Sequence, residues 1–155
     1  MTTVEFKSYE FQIKSHSIGG NFEGYASVFN VLDTYGDIIL PGSFGVISPR
    51  SVGFLLEHNI QYKIGTLSQI EEDRHGLFVS GNITNLSVIK GMKNGILNGL
   101  SIGFFIKQQY IDSITNVRYI GRINLIEVSL VQNPANKYAL GALISSGTPA
   151  RSRNI

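Results

Sequence analysis

Short apolar runs separated by Gly, Asn and Asp extend over most of this 155-residue chain, and they constrain its fold more than any other feature. The runs are rich in Val, Ile, Phe and Tyr. Short runs of this composition, bounded by turn residues, are typical of β-strands. The sequence therefore predicts a mainly β protein, and it shows no internal repeat.

The runs also predict where the strands lie. Residues 64–83 predict a hairpin, with the charged tip 71–76 between two apolar arms. The other predicted strands occupy residues 4–15, 21–30, 36–40, 52–59, 100–111, 117–122 and 123–133.

One segment, residues 85–98, has helical periodicity instead. A capping Thr84 or Asn85 precedes it, and Asn98-Gly99 is a suitable C-terminal stop. Its apolar residues recur at spacings of three and four, at Leu86, Ile89, Met92 and Ile96. A helix therefore interrupts the strands, which makes the predicted class α+β.

Length and composition favour one domain. A chain of 155 residues, 43% of them hydrophobic, is the size of a single domain with its own core. We predict this domain over residues 1–140 and a flexible Ser-, Gly-, Pro- and Arg-rich tail over 141–155. The first residues lack the features of a signal peptide, and no apolar run approaches the roughly 20 residues of a membrane span. We therefore expect a soluble, intracellular protein.

Charge and cysteine content narrow the function classes. The 13 Lys and Arg against 11 Asp and Glu leave a formal net charge of +2, which predicts neither a nucleic-acid nor a membrane partner. The absence of cysteine excludes disulfides, thiolate metal sites and a cysteine nucleophile. The stretch DTYGD at 33–37 does not complete a calcium site, and we interpret it as a turn. We predict no cofactor and no metal.

The G-x-S-x-G pattern at Gly99, Ser101 and Gly103 raises the question of a nucleophilic serine. In α/β-hydrolases such a serine follows a strand, opens a helix and precedes its histidine. Here Ser101 follows the predicted helix and opens a strand, and all three histidines precede it. The pattern therefore does not indicate an α/β-hydrolase.

A nucleophilic serine needs a base, and the chain offers three histidines for this role. His75 lies at the charged hairpin tip and His16 in a polar loop, where a solvated surface role is expected. His58 instead ends an apolar strand, and the two-residue period places it on the face of Phe54 and Leu56. His58 is therefore the candidate base, although a packed structural histidine is an alternative. The same period places the neighbouring Glu57 on the opposite face.

The candidate third member is Glu127. Strand alternation places Glu127 on one face with Ile123, Leu125, Ser129 and Val131 of an apolar, central strand. A buried carboxylate there needs a partner. An imidazole would serve, and a salt bridge to Arg118 or Arg122 is the structural alternative. The chain order His58, Ser101, Glu127 matches neither the trypsin nor the subtilisin order, so a different architecture is required.

Four segments together resemble the prohead maturation proteases of tailed bacteriophages, a family related in fold to the herpesvirus assemblin proteases. They lie in the family's order and cover residues 24–140. The segments are GYASVFNVLDTYGDIILPGSF at 24–44, LLEHN and IGTL within 55–67, GLSIGF at 99–104 and LIEVSLVQNPAN at 125–136.

The resemblance implies a serine endopeptidase on a small, mostly antiparallel β-barrel surrounded by a few helices. It implies that His58 is the general base, Ser101 the nucleophile and Glu127 the third member, where herpesvirus relatives use a second histidine. Those relatives also complete the oxyanion hole with an arginine-held water, which makes Arg118 and Arg122 candidates. Either arginine is equally consistent with an ordinary surface charge.

The resemblance also implies the partners. The substrates would be the scaffolding protein or a scaffold-like segment of the major capsid protein, and the protease itself, with the tail as a site of self-cleavage. The location would be the immature capsid in the host bacterial cytoplasm, and a homodimer or higher oligomer remains open.

The competing interpretations are a non-catalytic capsid-assembly or scaffold-binding module, and an unrelated β-barrel that binds a ligand in an apolar pocket without a Ser101–His58 contact.

Overall fold

The structure is a computed structural model that describes residues 3–10 and 20–132. Within these residues strands dominate, and no helix is long and apolar enough to cross a membrane. The elements in chain order are β1 (Val4–Glu10), β2 (Asn21–Val28), β3 (Asp37–Ile39), a 3-10 turn (Pro49–Ser51), β4 (Gly53–Leu56), β5 (Asn59–Lys63), β6 (Gly65–Glu72), β7 (Gly76–Ile83), α1 (Leu86–Lys93), β8 (Gly99–Ile111) and β9 (Arg118–Val131).

The strands form two sheets. The six-stranded sheet has the order β1-β8-β9-β4-β5, with β3 also paired to β9, and the three-stranded sheet has the order β2-β7-β6. Strand β9 is central: β8 runs antiparallel along one edge, and β3 and β4 run parallel to successive parts of the other. Only Ile64 separates β5 from β6, so the chain passes directly from one sheet to the other.

The hydrophobic core contains side chains from both sheets and from α1. Its buried members include Leu100, Ile102 and Phe104 of β8, and Leu77 and Val79 of β7. Burying each such side chain stabilises the fold by roughly 1.5–3 kcal/mol. Residues of β8 that alternate with these core residues must therefore lie on the opposite face of the six-stranded sheet.

The predicted mainly β, mostly antiparallel fold of the α+β class is confirmed, with the larger sheet curled as a half barrel. The predicted hairpin is present as β6 and β7. The predicted strands 117–122 and 123–133 are instead one 14-residue strand, β9. Strand β5 was not predicted: it has only two apolar residues, Ile60 and Tyr62, and all five of its residues are exposed.

Helix α1 begins where predicted but ends early. The Asn85 side chain accepts a hydrogen bond from the Val88 backbone N–H at 3.2 Å, which caps the helix. The helix ends at Lys93 rather than near 98, because Gly95 adopts a left-handed φ of 81°. Among the described residues this is the one α-helix, so the few helices expected around the barrel reduce to α1 and the 3-10 turn. The predicted tail 141–155, the segment 133–136 and His16 lie outside the described residues.

Candidate active site

His58 lies in a two-residue turn between β4 and β5. Leu56 pairs with Asn59, and the two residues between them, Glu57 and His58, have φ values of 51° and 61°. Positive φ at both central positions characterises a type I′ hairpin turn, which normally uses Asn or Gly. The expectation that the strand continues through residue 59 is therefore wrong, since β4 ends at Leu56. A left-handed conformation in a residue other than glycine costs about 1–3 kcal/mol, so Glu57 and His58 need support from their surroundings.

Strand β9 and the residue after it support this turn. The Glu57 N–H donates to the Leu130 carbonyl at 3.0 Å, and the His58 N–H donates to Ser129 Oγ at 3.1 Å. In return, the Gln132 N–H donates to Glu57 Oε1 at 2.6 Å. The Glu57 carboxylate is thus engaged away from the imidazole, as the sequence predicted.

Ser101 lies near the start of β8, on the face opposite the core. Leu100 and Ile102 point into the core, so Ser101 and Gly103 point the other way. Ser101 pairs with Ser129 and Gly103 pairs with Glu127 in the register of β8 and β9. The face that carries Ser101 therefore also carries Glu127 on the neighbouring strand.

A β-bulge turns Glu127 to this face. Gly103 pairs with Glu127, but the next residue, Phe104, pairs with Leu125, which leaves Ile126 as an extra residue. Leu125 consequently lies in the core while Glu127 lies on the site face. The expectation that Leu125 and Glu127 share one face is wrong, because simple alternation does not include the bulge.

Hydrogen bonds connect the three predicted residues in a chain. Ser101 Oγ lies 2.8 Å from His58 Nε2, and His58 Nδ1 lies 2.7 Å from Glu127 Oε1. Glu127 is buried and the His58 side chain is partly exposed. The salt-bridge alternative for Glu127 is excluded, because its partner is the imidazole. A serine hydroxyl bonded to an imidazole that a carboxylate orients is the arrangement that activates serine for nucleophilic attack.

Sequence reasoning did not assign a role to Ser129. Ser129 is fully buried, and its Oγ donates to Glu127 Oε2 at 2.7 Å. The available signal was its position two residues after Glu127, on the same face of the strand.

Strand β1 covers part of the site. The Phe6 ring packs on the His58 imidazole with 4.3 Å between centroids. The residue paired with Ser101 across the β1–β8 ladder is Ser8. Ser101 itself has no exposed surface.

The two arginines predicted for an oxyanion hole are not brought to Ser101. The Arg118 guanidinium bonds Asp37, Glu5 and Gln109, and the Asp37 and Glu5 contacts raise its pKa. Arg122 is exposed on β9 opposite Gln108. The oxyanion role of either arginine stays a prediction that these contacts do not support.

Arg118 belongs instead to a charged cluster that joins β1, β3 and β9. The buried Lys7 ammonium contacts Asp33 at 2.7 Å and Asp37 at 2.6 Å. Burial alone would raise the pKa of Asp37, but hydrogen bonds from Arg118 and Lys7 outweigh burial and lower that pKa. In residues 3–10 and 20–132, no group of three or more His, Asp or Glu side chains is arranged to hold a metal ion.

Comparison with known proteins gives three findings. The family model of the caudovirus prohead serine protease matches residues 7–148. The prohead protease of Enterobacteria phage HK97 is 33% identical over 147 residues, which cover 88% of this chain and 65% of that protein's length. The structure of the bacteriophage T4 capsid assembly protease matches with a TM-score of 0.60 and 10% identity, over 84% of this chain and 99% of the other. At 10% identity, the structural match supports the fold assignment alone.

Proposed function

The chain belongs to the caudovirus prohead serine protease family, and from this premise we propose that it is a serine endopeptidase. Ser101 is the nucleophile, His58 the general base and Glu127 the third member. The observation that carries the proposal is the continuous hydrogen-bond chain from Ser101 Oγ through His58 to Glu127 Oε1. Its geometry suits proton transfer between heavy atoms within about 3.2 Å.

The proposed reaction is acyl transfer in two steps. His58 Nε2 removes the hydroxyl proton as Ser101 Oγ attacks the peptide carbonyl, and it then returns that proton to the leaving amine. Glu127 holds the Nδ1 side of the ring and stabilises the imidazolium that forms. A water activated by the same imidazole cleaves the acyl-enzyme and regenerates Ser101. Since Ser101 has no exposed surface, a peptide reaches Oγ only after the side chains over it move aside.

The proposed substrates are capsid-assembly proteins. The HK97 relative is named a prohead protease and the T4 structure is named a capsid assembly protease. We extend this to cleavage of the scaffolding protein or a scaffold-like segment of the major capsid protein, and to self-cleavage within residues 141–155. The protein would act inside the immature capsid in the host bacterium.

One competing interpretation conflicts with the site. An unrelated ligand-binding barrel predicts no short contact between Ser101 and His58, whereas these side chains are 2.8 Å apart. A non-catalytic module of the same fold would not need this contact, and it remains the alternative outcome of the experiment.

The test is co-expression with the capsid and scaffolding proteins of the same phage, followed by mass spectrometry of every chain. Three forms are compared: wild type, Ser101→Ala and Ser27→Ala. Ser27 is the matched control, because it is a buried serine whose hydroxyl has no hydrogen-bond partner. Wild type and Ser27→Ala should shorten the partner chains, and Ser101→Ala should leave them intact. If wild type cleaves nothing in particles that assemble, the protease proposal is wrong and the scaffold-binding module takes its place.

A further inference from the structure

The Ser129 hydroxyl contacts both His58 and Glu127, the proposed base and the carboxylate of the site. Its Oγ is 2.7 Å from Glu127 Oε2 and 3.1 Å from the backbone nitrogen of His58. These two contacts and the His58–Glu127 contact close a ring of three residues. Ser129 therefore touches both partners of the imidazole–carboxylate pair without touching Ser101 Oγ in any described contact.

Chemistry assigns the direction of each bond. A backbone N–H can only donate, so Ser129 Oγ accepts from His58. An ionised carboxylate can only accept, so the single proton of the Ser129 hydroxyl goes to Glu127 Oε2. Both bonds are thereby satisfied at once, and both Glu127 oxygens have donors: the imidazole on Oε1 and the hydroxyl on Oε2.

We infer that Ser129 is a positioning residue of this site, an inference that rests on the proposed protease function. It aligns the Glu127 carboxylate with the imidazole, and it holds the backbone of the turn that carries the imidazole. The His58 ring and the His58 backbone are then fixed to the same two residues of β9.

The need for such a residue follows from the turn and from burial. His58 has a left-handed φ of 61°, a conformation that persists only where neighbouring contacts enforce it. Without the hydroxyl, the His58 N–H and Glu127 Oε2 both lose their partner, and a buried carboxylate oxygen without a donor is unfavourable. The carboxylate could then rotate away from Nδ1, and the imidazole would lose its alignment with Ser101.

The experiment compares Ser129→Ala, Ser129→Thr and the control Ser27→Ala. The values of kcat and KM are measured on the capsid or scaffolding protein that wild type cleaves in the co-expression experiment. The free energy of a hydrogen bond to a charged group corresponds to a factor of roughly 10 to 100 in rate. We expect Ser129→Ala to lose kcat by about that factor with little change in KM. Ser129→Thr keeps the hydroxyl and should keep most of the activity, and Ser27→Ala should match wild type. If Ser129→Ala does not fold, Ser129→Cys replaces the hydroxyl by a weak donor and carries the same expectation.

A second readout does not depend on turnover. In the Ser101→Ala background, the Nδ1 proton of His58 should give a downfield, exchange-protected proton resonance, assigned by its loss in Glu127→Gln. Adding Ser129→Ala should shift or broaden this resonance, and adding Ser27→Ala should leave it unchanged. A structural role in the core alone would not move it.

The two proposals fail in different ways. Unchanged kcat and an unchanged Nδ1 resonance in Ser129→Ala would overturn the positioning role while the protease function stands. Absence of cleavage by both wild type and Ser129→Thr would overturn the protease function, and the resonance would still decide whether Ser129 aligns the pair.

Discussion

Replacing Gly103 by alanine tests how closely the Glu127 carboxylate is packed. A Cβ at this position would lie 2.9 Å from Glu127 Oε1, 3.1 Å from Glu127 Cγ and 3.1 Å from Phe6 Cε1. Ordinary contact begins at 3.4 Å, so Oε1 must retreat by about 0.5 Å, from 3.4 − 2.9. The same oxygen is the one that bonds His58 Nδ1 at 2.7 Å. The methyl group therefore acts directly on the bond that orients the imidazole.

The size of the effect follows from that displacement. Catalytic groups tolerate about 0.5 Å before function suffers, and a misplacement of 1 Å costs on the order of 100-fold. We therefore expect kcat of Gly103→Ala to fall by roughly tenfold. A Gly→Ala change within a strand gains about 0.5–1 kcal/mol, whereas crowding costs about 1–3 kcal/mol. The net loss of about 1 kcal/mol should lower Tm by roughly 2–4 °C for a chain of this size.

The assay is turnover of the natural substrate together with thermal unfolding. Gly121→Ala is the matched control, because its Cβ would have neighbours no nearer than 3.9 Å, on Gln108. Gly121→Ala should keep wild-type turnover and should not lower Tm. Wild-type turnover and wild-type Tm in Gly103→Ala would refute the argument, because the carboxylate would then have room to spare.

Two further predictions concern charged groups. Glu127→Gln keeps the shape of the side chain and removes its charge, so kcat should fall on the order of 10³- to 10⁴-fold. The control is Glu71→Gln, an exposed position, which should turn over like wild type. Equal turnover in both variants would exclude Glu127 from the site. Asp37 has a lowered pKa, so its ionised form stabilises the fold above its ordinary pKa of 3.8, and that contribution disappears as the pH falls through the lowered value. Urea unfolding should therefore show Asp37→Asn to be less stable than wild type at pH 7, with a smaller loss between pH 7 and pH 3; parallel losses in both proteins would contradict the role of the Lys7 and Arg118 contacts.

The sequence predicted those parts of the fold that local pattern decides. The hairpin of β6 and β7 has apolar arms and a charged tip, and the Asn85 cap precedes a helical spacing. Strand β5 is too short for a clear pattern, since it has only two apolar residues, Ile60 and Tyr62. Both are exposed, and pairing with β4 through the turn holds the strand in place. Periodicity therefore detects elements that bury one face and misses elements defined by a partner strand.

The contacts of the candidate site were predictable more than its geometry. A buried carboxylate needs a partner, and this requirement correctly directed Glu127 to an imidazole. For Ser129 the sequence offered only its position two residues after Glu127. Its other partner, His58, is 71 residues away in the chain and approaches through a backbone N–H. Backbone donors carry no residue-specific signal, so no pattern in the sequence marks them.

The G-x-S-x-G match illustrates how the same letters can satisfy a different physical requirement. In a nucleophile elbow the pattern serves a strained turn between a strand and a helix. Here Ser101 and Gly103 lie in one extended strand, and the glycine leaves room for the Glu127 side chain, which lies opposite it in the β8–β9 register. That register in turn depends on the bulge at Ile126. If Ile126 were paired in regular alternation instead of bulged, Glu127 would share the face of Leu125 and point into the core, beyond the reach of both His58 and Ser101.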